Sequence, residues 1–407
     1  MTQIIYVALI TITVVSFLLG KWLDYLNDKA KSPEMPPEAE GIYDSERYQK
    51  WPAYDKANGR VGAISSSISI VASLVMLGFG LFGALDIWLR QYIEHDILLA
   101  LGFFGVLGFG SSIISLPFSI YSTFVIEEKF GFNKTTVKTF IVDMIKGLLL
   151  SAVIGLPLGA LVIWFYYELG ELFWISAWVL MTFFSLFMTM FAASWIMPLF
   201  NKFTPLEEGE LRTAIEVYCD KVGFKLTNLF VMDGSKRSGK SNAFFSGLGP
   251  KKKIVLYDTL IEQMTTEEIV AVLAHEIGHY KKQHTRQSLI LSIVQTGVML
   301  YLLGFFLRME EFSLALGSGA GSFHVGVIAF GIIFSPISTL IGIGMSMLSR
   351  KNEFEADAYA RDTYDGAALA SGLKKLTAEN LSNLMPHPYV VFVSYSHPPV
   401  LQRLERL

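Results

Sequence analysis

The pentapeptide His275-Glu276-Ile277-Gly278-His279 holds the residue types in this chain that are best suited to chemistry. Because an α-helix turns once in about 3.6 residues, residues four apart share a face, and the two imidazoles would lie side by side. Neutral imidazole nitrogens at this spacing can bind one Zn²⁺, and the intervening carboxylate can take a proton from a water that the metal activates. The pattern therefore predicts a zinc-dependent hydrolase, provided that other residues complete the site.

A second motif with helical spacing occurs much later in the chain. Glu353 and Asp357 are again four residues apart, so they would share one helix face. A catalytic zinc site needs a third protein ligand and an open position for water. Either carboxylate could supply that ligand, while the other could hold a ligating imidazole through its second N–H group. The alternative is an ordinary charged helix face that follows a membrane span.

The composition is that of a membrane protein. Hydrophobic residues make up 52% of the 407-residue chain and charged residues only 17%, and the mean hydropathy is +0.45. The apolar residues are concentrated in long runs, as they are in transmembrane helices. The net charge of −3 argues against a nucleic-acid partner. The single cysteine, Cys219, excludes an intramolecular disulfide and any cysteine-based zinc site.

Seven apolar segments are long enough to cross a bilayer, whose core needs roughly 20 apolar residues per helix. They predict a mainly α, polytopic membrane protein. The first segment is not a signal peptide, because Met1-Thr2-Gln3 has no charged side chain and no small-residue cleavage site follows. The predicted spans are 4–20, 61–85, 97–125, 147–167, 172–197, 288–307 and 325–348.

The loops between these spans differ in their content of basic residues. Lysine and arginine are numerous in the 21–60 and 126–146 loops, whereas the 86–96, 168–171 and 308–324 loops have one or none. The positive-inside rule then places the N-terminus outside and the most basic loops, the segment after the fifth span and the C-terminus in the cytoplasm. Both helical motifs fall on this cytoplasmic side.

The span positions divide the chain into four segments. Residues 1–197 hold spans one to five, and residues 198–287 hold a protease region with the first motif. Residues 288–348 hold the last two spans, and residues 349–407 hold the second motif and the C-terminal segment.

Local patterns predict the elements of the protease region. Thr204-Pro205-Leu206-Glu207 and Thr265-Thr266-Glu267-Glu268 each predict a helix start with a capping box. Residues 224–232 and 253–257 are predicted strands, joined by a connection rich in Gly, Ser and Lys. The second helix is expected to run through His279 and on, without a break, into the sixth span. This would place the metal near the membrane surface.

Three further residues are weaker candidates. Asn242 lies between the predicted strands, where a substrate could pair with an exposed strand edge, although a turn asparagine is the simpler interpretation. His397, which precedes two prolines, and Arg403 could stabilise the oxyanion of a tetrahedral intermediate if they lie close to the metal. Structural contacts are expected for the remaining histidines, which are His95, His284, His324 and His387.

Several stretches of the chain are much more specific than the zinc motif alone. They are 127–134 (EEKFGFNK), 198–203 (PLFNKF), 241–243 (SNA), 255–260 (VLYDTL), 275–279, 353–357 (EFEAD), and His397-Pro398 with Arg403. In these stretches the chain resembles the Ste24-type CAAX prenyl proteases, which are integral-membrane zinc metalloproteases of peptidase family M48. The resemblance implies seven transmembrane helices that form a barrel around an aqueous chamber, with a small gluzincin-like α+β protease region near the cytoplasmic side.

The resemblance also implies roles for single residues. His275, His279 and Glu353 would bind one Zn²⁺ per chain, and Glu276 would be the catalytic base. Asp357 is then left as the carboxylate that supports a ligating imidazole. The resemblance further makes active-site candidates of His397, Arg403 and Asn242.

Members of this family remove the C-terminal tripeptide from prenylated CaaX proteins. The expected partners are therefore a peptide or protein substrate, prenylated or not, and the lipid bilayer, with no nucleic acid and a monomeric chain. Compact loops and the lack of a C-terminal retrieval signal favour a prokaryotic inner membrane. A eukaryotic chain of this kind would instead reside in the endoplasmic reticulum membrane.

Three alternatives are weighed against this assignment. A quality-control protease of the HtpX kind would cut membrane proteins without lipid preference, but that group has fewer spans. An intramembrane zinc protease would bury the motif within a span, whereas here charged residues follow it at once. A transporter or receptor with a structural zinc would normally add a fourth protein ligand and would have no use for Glu276.

Overall fold

The computed structural model describes residues 1–32, 34, 35, 37, 40–226, 228–246 and 253–407, and most of them are helical. Two π-helical turns, Ser122–Glu127 and Ala192–Ile196, follow the fourth and the sixth helix. The helices before residue 200 are α1 (Thr2–Lys29), α2 (Ser45–Gly78), α3 (Leu81–Leu89), α4 (Asp96–Tyr121), α5 (Val137–Leu169) and α6 (Phe173–Phe191).

The helices after residue 200 belong partly to the membrane and partly to the protease region. They are α7 (Glu210–Lys221), α8 (Asp258–Gln263), α9 (Thr266–Lys281), α10 (His284–Leu307), α11 (Glu311–Leu314), α12 (Phe323–Thr363), α13 (Gly366–Glu379), α14 (Pro388–Ser394) and α15 (Val400–Leu404).

Each predicted span overlaps a helix, but the second, 61–85, extends past the end of α2 into α3. Among the described residues, six helical stretches are long and apolar enough to cross a membrane. One of these stretches, 137–199, contains both α5 and α6, which are separated by a 3₁₀ turn at Gly170–Leu172 and pack against each other. The six stretches therefore account for the seven spans that the sequence predicts.

The second span differs most from its predicted limits of 61–85. Its helix, α2, begins at Ser45, where the Asp44 carboxylate accepts a hydrogen bond from the Arg47 backbone N–H at 2.7 Å. The helix ends at Gly78, and Gly80 takes a φ of 61° before α3 starts. The prediction was wrong because hydropathy marks only the apolar part of a helix, and polar turns can extend it into water.

Little of each span is buried by the rest of the protein. Only 6–22% of the most apolar window of each stretch is buried. A helix in a solid bundle buries a wide apolar stripe against its neighbours. Such low burial is instead what helices around an open chamber, as in the predicted barrel, would have.

The described residues of the protease region form a small mixed sheet. Its strands are β1 (Phe203–Pro205), β2 (Leu229–Met232), β3 (Ala243–Ser246) and β4 (Lys253–Tyr257). They lie in the order β1-β2-β4-β3, with β2 and β4 parallel and both outer strands antiparallel to their neighbours. Within this sheet β3 therefore has one unpaired edge.

Three local predictions in this region were wrong. Thr204 and Pro205 do not start a helix, because they pair with Val231 and Phe230 in the sheet, and α7 begins only at Glu210. The predicted strand 224–232 is limited to its last four residues, and the predicted connection contains β3. Pairing with a distant strand is not visible in a local pattern, and proline is tolerated in an edge strand such as β1.

Helix α9 forms the centre of the protease core. Its N-terminus has the predicted capping box, because Thr265 Oγ1 accepts from the Glu268 N–H and Glu268 Oε2 accepts from the Thr265 N–H. From Glu268 to Gly278 every residue except Glu276 is buried. The helix packs against α7, α12 and α13. Burial on nearly all sides fixes the position of its histidines.

The predicted continuous helix from the first motif into the sixth span is also wrong. α9 ends at Lys281, and α10 begins at His284. Between them Gln283 adopts the left-handed conformation, with φ 60° and ψ 26°. The sequence Lys-Lys-Gln here has no glycine or proline that would mark a break.

A second buried polar group lies far from the first motif, and we call it the distal cluster. It consists of Asp86, Arg90, Ser318, Ser322 and His324. The Asp86 carboxylate accepts hydrogen bonds from His324 Nε2 at 2.7 Å, Arg90 Nε at 3.0 Å and the two serine hydroxyls at 3.2 and 3.4 Å. The cluster ties α3 to the start of α12.

Candidate metal centre

Two helices bring the motif residues together. His275 and His279 lie one turn apart on α9, and Glu353 lies on α12. The helices cross at Gly278, where an added Cβ would lie 3.1 Å from the Ala356 Cα atom and 3.2 Å from its carbonyl oxygen. A larger residue would push the helices apart. The glycine in the first motif thus allows Glu353 to reach both imidazoles.

The imidazole nitrogens and the carboxylate converge on one point. His275 Nε2 lies 3.1 Å from His279 Nε2, and the two nitrogens lie 3.5 Å and 3.3 Å from the Glu353 oxygens. Ligands that bind tetrahedral Zn²⁺ at ~2.0–2.1 Å are about 3.3 Å apart, so the spacing fits. Among the described residues these three form the only group of such ligands.

The opposite nitrogen of His275 is held by Asp357. The imidazole Nδ1 and Asp357 Oδ1 are 2.8 Å apart, and Arg403 donates to the same carboxylate from Nε at 2.8 Å and from Nη2 at 2.6 Å. Asp357 is buried and ionised beside Arg403, so it accepts the Nδ1 proton. This bond leaves the Nε2 lone pair of His275 directed at the centre.

The electrostatics of the centre favour a cation. Glu353 Oε2 is buried without a hydrogen-bond partner among the described residues, and an unpaired buried group costs ~1–3 kcal/mol. Burial by itself lowers the pKa of His275, but hydrogen bonds with Asp357 and Glu353 raise that pKa to about 9. In the metal-free protein His275 is therefore protonated, and its Nε2 proton lies between the two imidazoles. Two imidazoles and a carboxylate form a donor set that suits catalytic zinc.

An open cavity of about 510 Å³ lies over these groups. Glu276 lines the cavity and is only half-buried, unlike its neighbours on α9. A carboxylate next to the metal ligands and open to water has the position that a general base needs.

The edge strand β3 borders the same cavity. Asn242, Ala243 and Phe245 line it. Asn242 is exposed, its side-chain oxygen accepts from the Ala243 N–H at 2.8 Å, and its carbonyl accepts from the Tyr257 N–H at 3.1 Å. An extended peptide can pair with an open strand edge by main-chain hydrogen bonds. The loop asparagine of the sequence analysis therefore stands at the start of a possible docking edge.

His397 and Arg403 both reach the centre, but in different ways. The His397 side chain is 65% exposed, and its Nε2 lies 3.4 Å from Glu353 Oε1. It can therefore face a substrate in the cavity. Arg403 is buried, and two of its nitrogens donate to Asp357 while Nη1 lies 3.5 Å from Glu353 Oε2. This geometry favours a positioning role for Arg403 over contact with an oxyanion.

The sequence analysis missed His284, to which it assigned only structural contacts. This residue lines the cavity, and its Nδ1 lies 3.0 Å from His279 Nδ1. Its Nε2 lies 3.1 Å from Glu355 Oε2. The only feature of the sequence that could have pointed to this contact is a histidine five residues after His279. In a continuous helix that residue would point away from His279, and the break was not foreseeable.

Comparison with protein families divides the chain in two. Residues 24–202 match the family described as "CAAX prenyl protease N-terminal, five membrane helices". Residues 205–407 match the family described as "Peptidase family M48".

Individual proteins are similar over nearly the whole length. The chain is 38% identical to the "CAAX prenyl protease 1 homolog" of Arabidopsis thaliana, over 97% of this chain and 95% of that protein. It is 35% identical to "CAAX prenyl protease 1" of Saccharomyces cerevisiae, over 97% and 93%. The crystal structure of S. mikatae Ste24p superposes with a TM-score of 0.93 at 33% identity, over 99% of this chain and 98% of that one.

Proposed function

The chain belongs to peptidase family M48 and is a membrane zinc metalloprotease, and from this premise we propose how its residues cleave peptides. One Zn²⁺ is bound by His275, His279 and Glu353. The observation that carries this assignment is the convergence of three acceptor groups beside an open cavity, one of them a buried carboxylate oxygen that makes no hydrogen bond among the described residues. When bound, Zn²⁺ supplies Lewis-acid chemistry that acidifies water and polarises a carbonyl group.

The residues of the chain perform the proton transfers and the positioning. Glu276 accepts the proton of the attacking water and passes it to the leaving amine. His397 is open to the cavity and stabilises the developing oxyanion. Asn242 and the edge of β3 hold the substrate backbone in an extended form. Asp357, with Arg403 behind it, fixes the orientation of His275.

Substitutions at two neighbouring residues test the catalytic assignment. Glu276→Gln removes the base but no ligand, so it should keep one zinc per chain and lower kcat by ~10²–10⁴-fold. His275→Ala removes a ligand and should lose both metal and activity. Zinc is measured by elemental analysis of the purified variants, and cleavage by release of a fluorescent peptide. Full activity of Glu276→Gln would refute the assigned role, and cleavage by zinc-free protein would refute the metal mechanism.

We further propose that the substrate is a CaaX-type peptide with a prenylated cysteine, cut to release the C-terminal tripeptide. The support is the similarity to the CAAX prenyl proteases of Arabidopsis thaliana and Saccharomyces cerevisiae, together with the membrane-spanning helices that flank the protease region. One CaaX peptide should be cleaved faster with its farnesyl group than without it. Equal rates would favour a general membrane-protein protease of the HtpX kind and would leave the metalloprotease assignment intact.

The loop charges support an active site that faces the cytoplasm. The native Cys219 does not interfere with a labelling test, because burial raises the pKa of its thiol to about 12 and keeps it unreactive. Tyr92 and Val217 are exposed positions on opposite predicted sides. An impermeant maleimide added to intact cells should label Tyr92→Cys and leave Val217→Cys unlabelled until the cells are lysed. The reverse pattern would overturn the orientation.

A further inference from the structure

The break between α9 and α10 occurs where the metal ligands end. Gln283 is one of two described residues other than glycine with a positive φ, and such a conformation costs of order 1 kcal/mol or more. In an unbroken helix a residue five positions after His279 would lie about 140° around the axis from it. The break instead brings the His284 and His279 rings to a centroid distance of 5.1 Å. The strained backbone of Gln283 thus brings His284 into contact with His279.

The hydrogen bonds of this contact fix the proton positions. Glu355 accepts a hydrogen bond from His284 Nε2, at 3.1 Å, because a carboxylate can only accept. A neutral His284 that donates from Nε2 has its lone pair on Nδ1. His279 Nδ1, at 3.0 Å, must therefore donate to that lone pair. The lone pair of His279 is then on Nε2, which faces the metal centre.

We propose that His284, held by Glu355, is a positioning residue that sets the tautomer and the ring orientation of His279 for metal binding. The proposal rests on the metal site of the proposed function. It gives the second imidazole ligand a support equivalent to that of the first, which Asp357 and Arg403 supply. His284 cannot itself bind the same ion. Its Nε2 contacts Glu355, and its Nδ1 contacts His279 Nδ1, which is the His279 nitrogen that points away from the metal centre.

The experiment compares zinc affinity among variants of the full-length protein in detergent. His284→Ala and His284→Leu remove the acceptor, and outer partners of ligating histidines typically contribute ~10–100-fold to metal affinity. We therefore expect the zinc dissociation constant, measured by competition with a chromophoric chelator, to rise by that factor. His284→Asn puts an amide oxygen near the former Nδ1 position and should restore most of the affinity. Lys282→Ala, an exposed change within the same break, should leave it unchanged.

Thermal unfolding of the metal-free variants separates positioning from folding. A positioning residue leaves the metal-free Tm within a few degrees of the parent value, while the rise in Tm on adding zinc becomes smaller. If His284→Ala does not fold, Glu355→Ala tests the same hydrogen-bond chain and should weaken zinc binding several-fold. Parental zinc affinity in His284→Leu, or equal losses in the Leu and Asn variants, would overturn the proposal.

None of these measurements depends on peptide cleavage. A chain that binds zinc in the predicted order of variants but cuts no peptide would refute the proposed function and leave this inference standing. A chain that cuts peptides but keeps the parental zinc affinity in every variant would refute this inference and leave the proposed function standing.

Discussion

The described part of the chain has two buried pairs of histidine and aspartate, and their surroundings differ. His275 and Asp357 are 2.8 Å apart at the metal centre, and His324 and Asp86 are 2.7 Å apart in the distal cluster. All four residues are at most 7% exposed. In each pair one imidazole nitrogen donates to a carboxylate that other donors also contact. Up to this point the two sites have the same chemistry.

The difference lies at the second nitrogen of each ring. His275 Nε2 faces another imidazole and the Glu353 carboxylate, so acceptors converge there. His324 Nδ1 is buried and has no hydrogen-bond partner among the described residues, and the Phe103 ring packs at 4.5 Å from the imidazole centroid. A buried His–Asp pair is therefore not by itself a metal site. Convergence of further acceptors on the second nitrogen distinguishes the candidate metal centre from a cluster that joins helices.

The largest expected effects come from removing the aspartate of each pair. Asp86→Ala leaves buried partners unpaired and should lower the free energy of unfolding by ~3–5 kcal/mol, with no change in zinc affinity. Asp357→Ala should instead weaken zinc binding by ~10–100-fold. Thermal unfolding in detergent and chelator competition measure the two quantities. A loss of zinc affinity in Asp86→Ala would contradict the separation of the two sites.

Glu268 is a further buried carboxylate, and both its oxygens accept hydrogen bonds. Ser371 donates to Oε1 at 2.6 Å, and Lys375 and the Thr265 N–H donate to Oε2 at 2.7 and 2.9 Å. Glu268→Gln should cost ~1.5–3 kcal/mol, the contribution of hydrogen bonds to a charged group. Unlike changes at Glu353, it should leave zinc affinity within about twofold of the parent value, by chelator competition.

The same residue predicts a pH dependence. Burial alone would raise the pKa of Glu268, but Lys375, Ser371 and Thr265 outweigh it and lower the pKa. A depressed carboxyl pKa stabilises the fold above the unfolded value near 4.5, and this stability is lost as the pH falls through the folded pKa. Unfolding of the parent protein should therefore become easier on acidification below that value, and Glu268→Gln should show a weaker dependence. Parallel pH profiles would contradict the assignment.

A smaller effect is expected at Gly278, where α9 and α12 cross beside the candidate metal centre. Gly278→Ala must shift α9 or α12 by a few tenths of an ångström, and ligand geometry tolerates only ~0.5 Å. We expect zinc affinity to fall roughly tenfold, about 1.4 kcal/mol. Gly342→Ala, on α12 with no atom within 4 Å of the added Cβ, is the matched control. Equal affinities of the two variants would show that the crossing is not tight.

The smallest effect is a pH response of the metal-free centre. Hydrogen bonds to Asp357 and Glu353 outweigh the burial of His275 and raise its pKa from 6.5 to about 9. The stability from this proton is complete below the unfolded pKa near 6.5 and is lost as the pH rises through about 9. Metal-free protein should therefore unfold more easily at pH 9.5 than at pH 6.5, by calorimetry, and His275→Gln should abolish this slope. Zinc must displace the same proton, so its affinity should rise with pH over the same window.

Sequence patterns correctly predicted those parts of the fold that depend on interactions between residues close together in the chain. The capping box at Thr265 and Glu268, the strand 253–257 and the histidine spacing all depend on neighbours along the chain. The strand at Thr204 was missed because its partner, Val231, lies outside any local window. The distal cluster was missed for the same reason, since its two central residues are separated by 238 positions.

The sequence predicted the residue types of the candidate metal centre, but not the His284 side chain that contacts His279. Two helical motifs were enough to propose His275 and His279 as ligands and either Glu353 or Asp357 as the third, and the family resemblance selected Glu353. The contact between His284 and His279 depends on a helix break in a segment without glycine or proline. No pattern in the sequence distinguishes such a histidine from one on a solvent-exposed helix face.

The length of α12 has a mechanical consequence. This single helix of 41 residues carries His324 near one end and Glu353 near the other, about 45 Å apart at ~1.5 Å per residue. A bilayer core is only ~30 Å thick, so a helix of this length that crosses the lipid also carries Glu353 beyond it. A change in tilt of one degree about the His324 end would move the Glu353 end by about 0.8 Å, more than the ~0.5 Å that a metal or catalytic site tolerates. The tilt of α12 therefore links the apolar part of this helix to the geometry of the candidate metal centre.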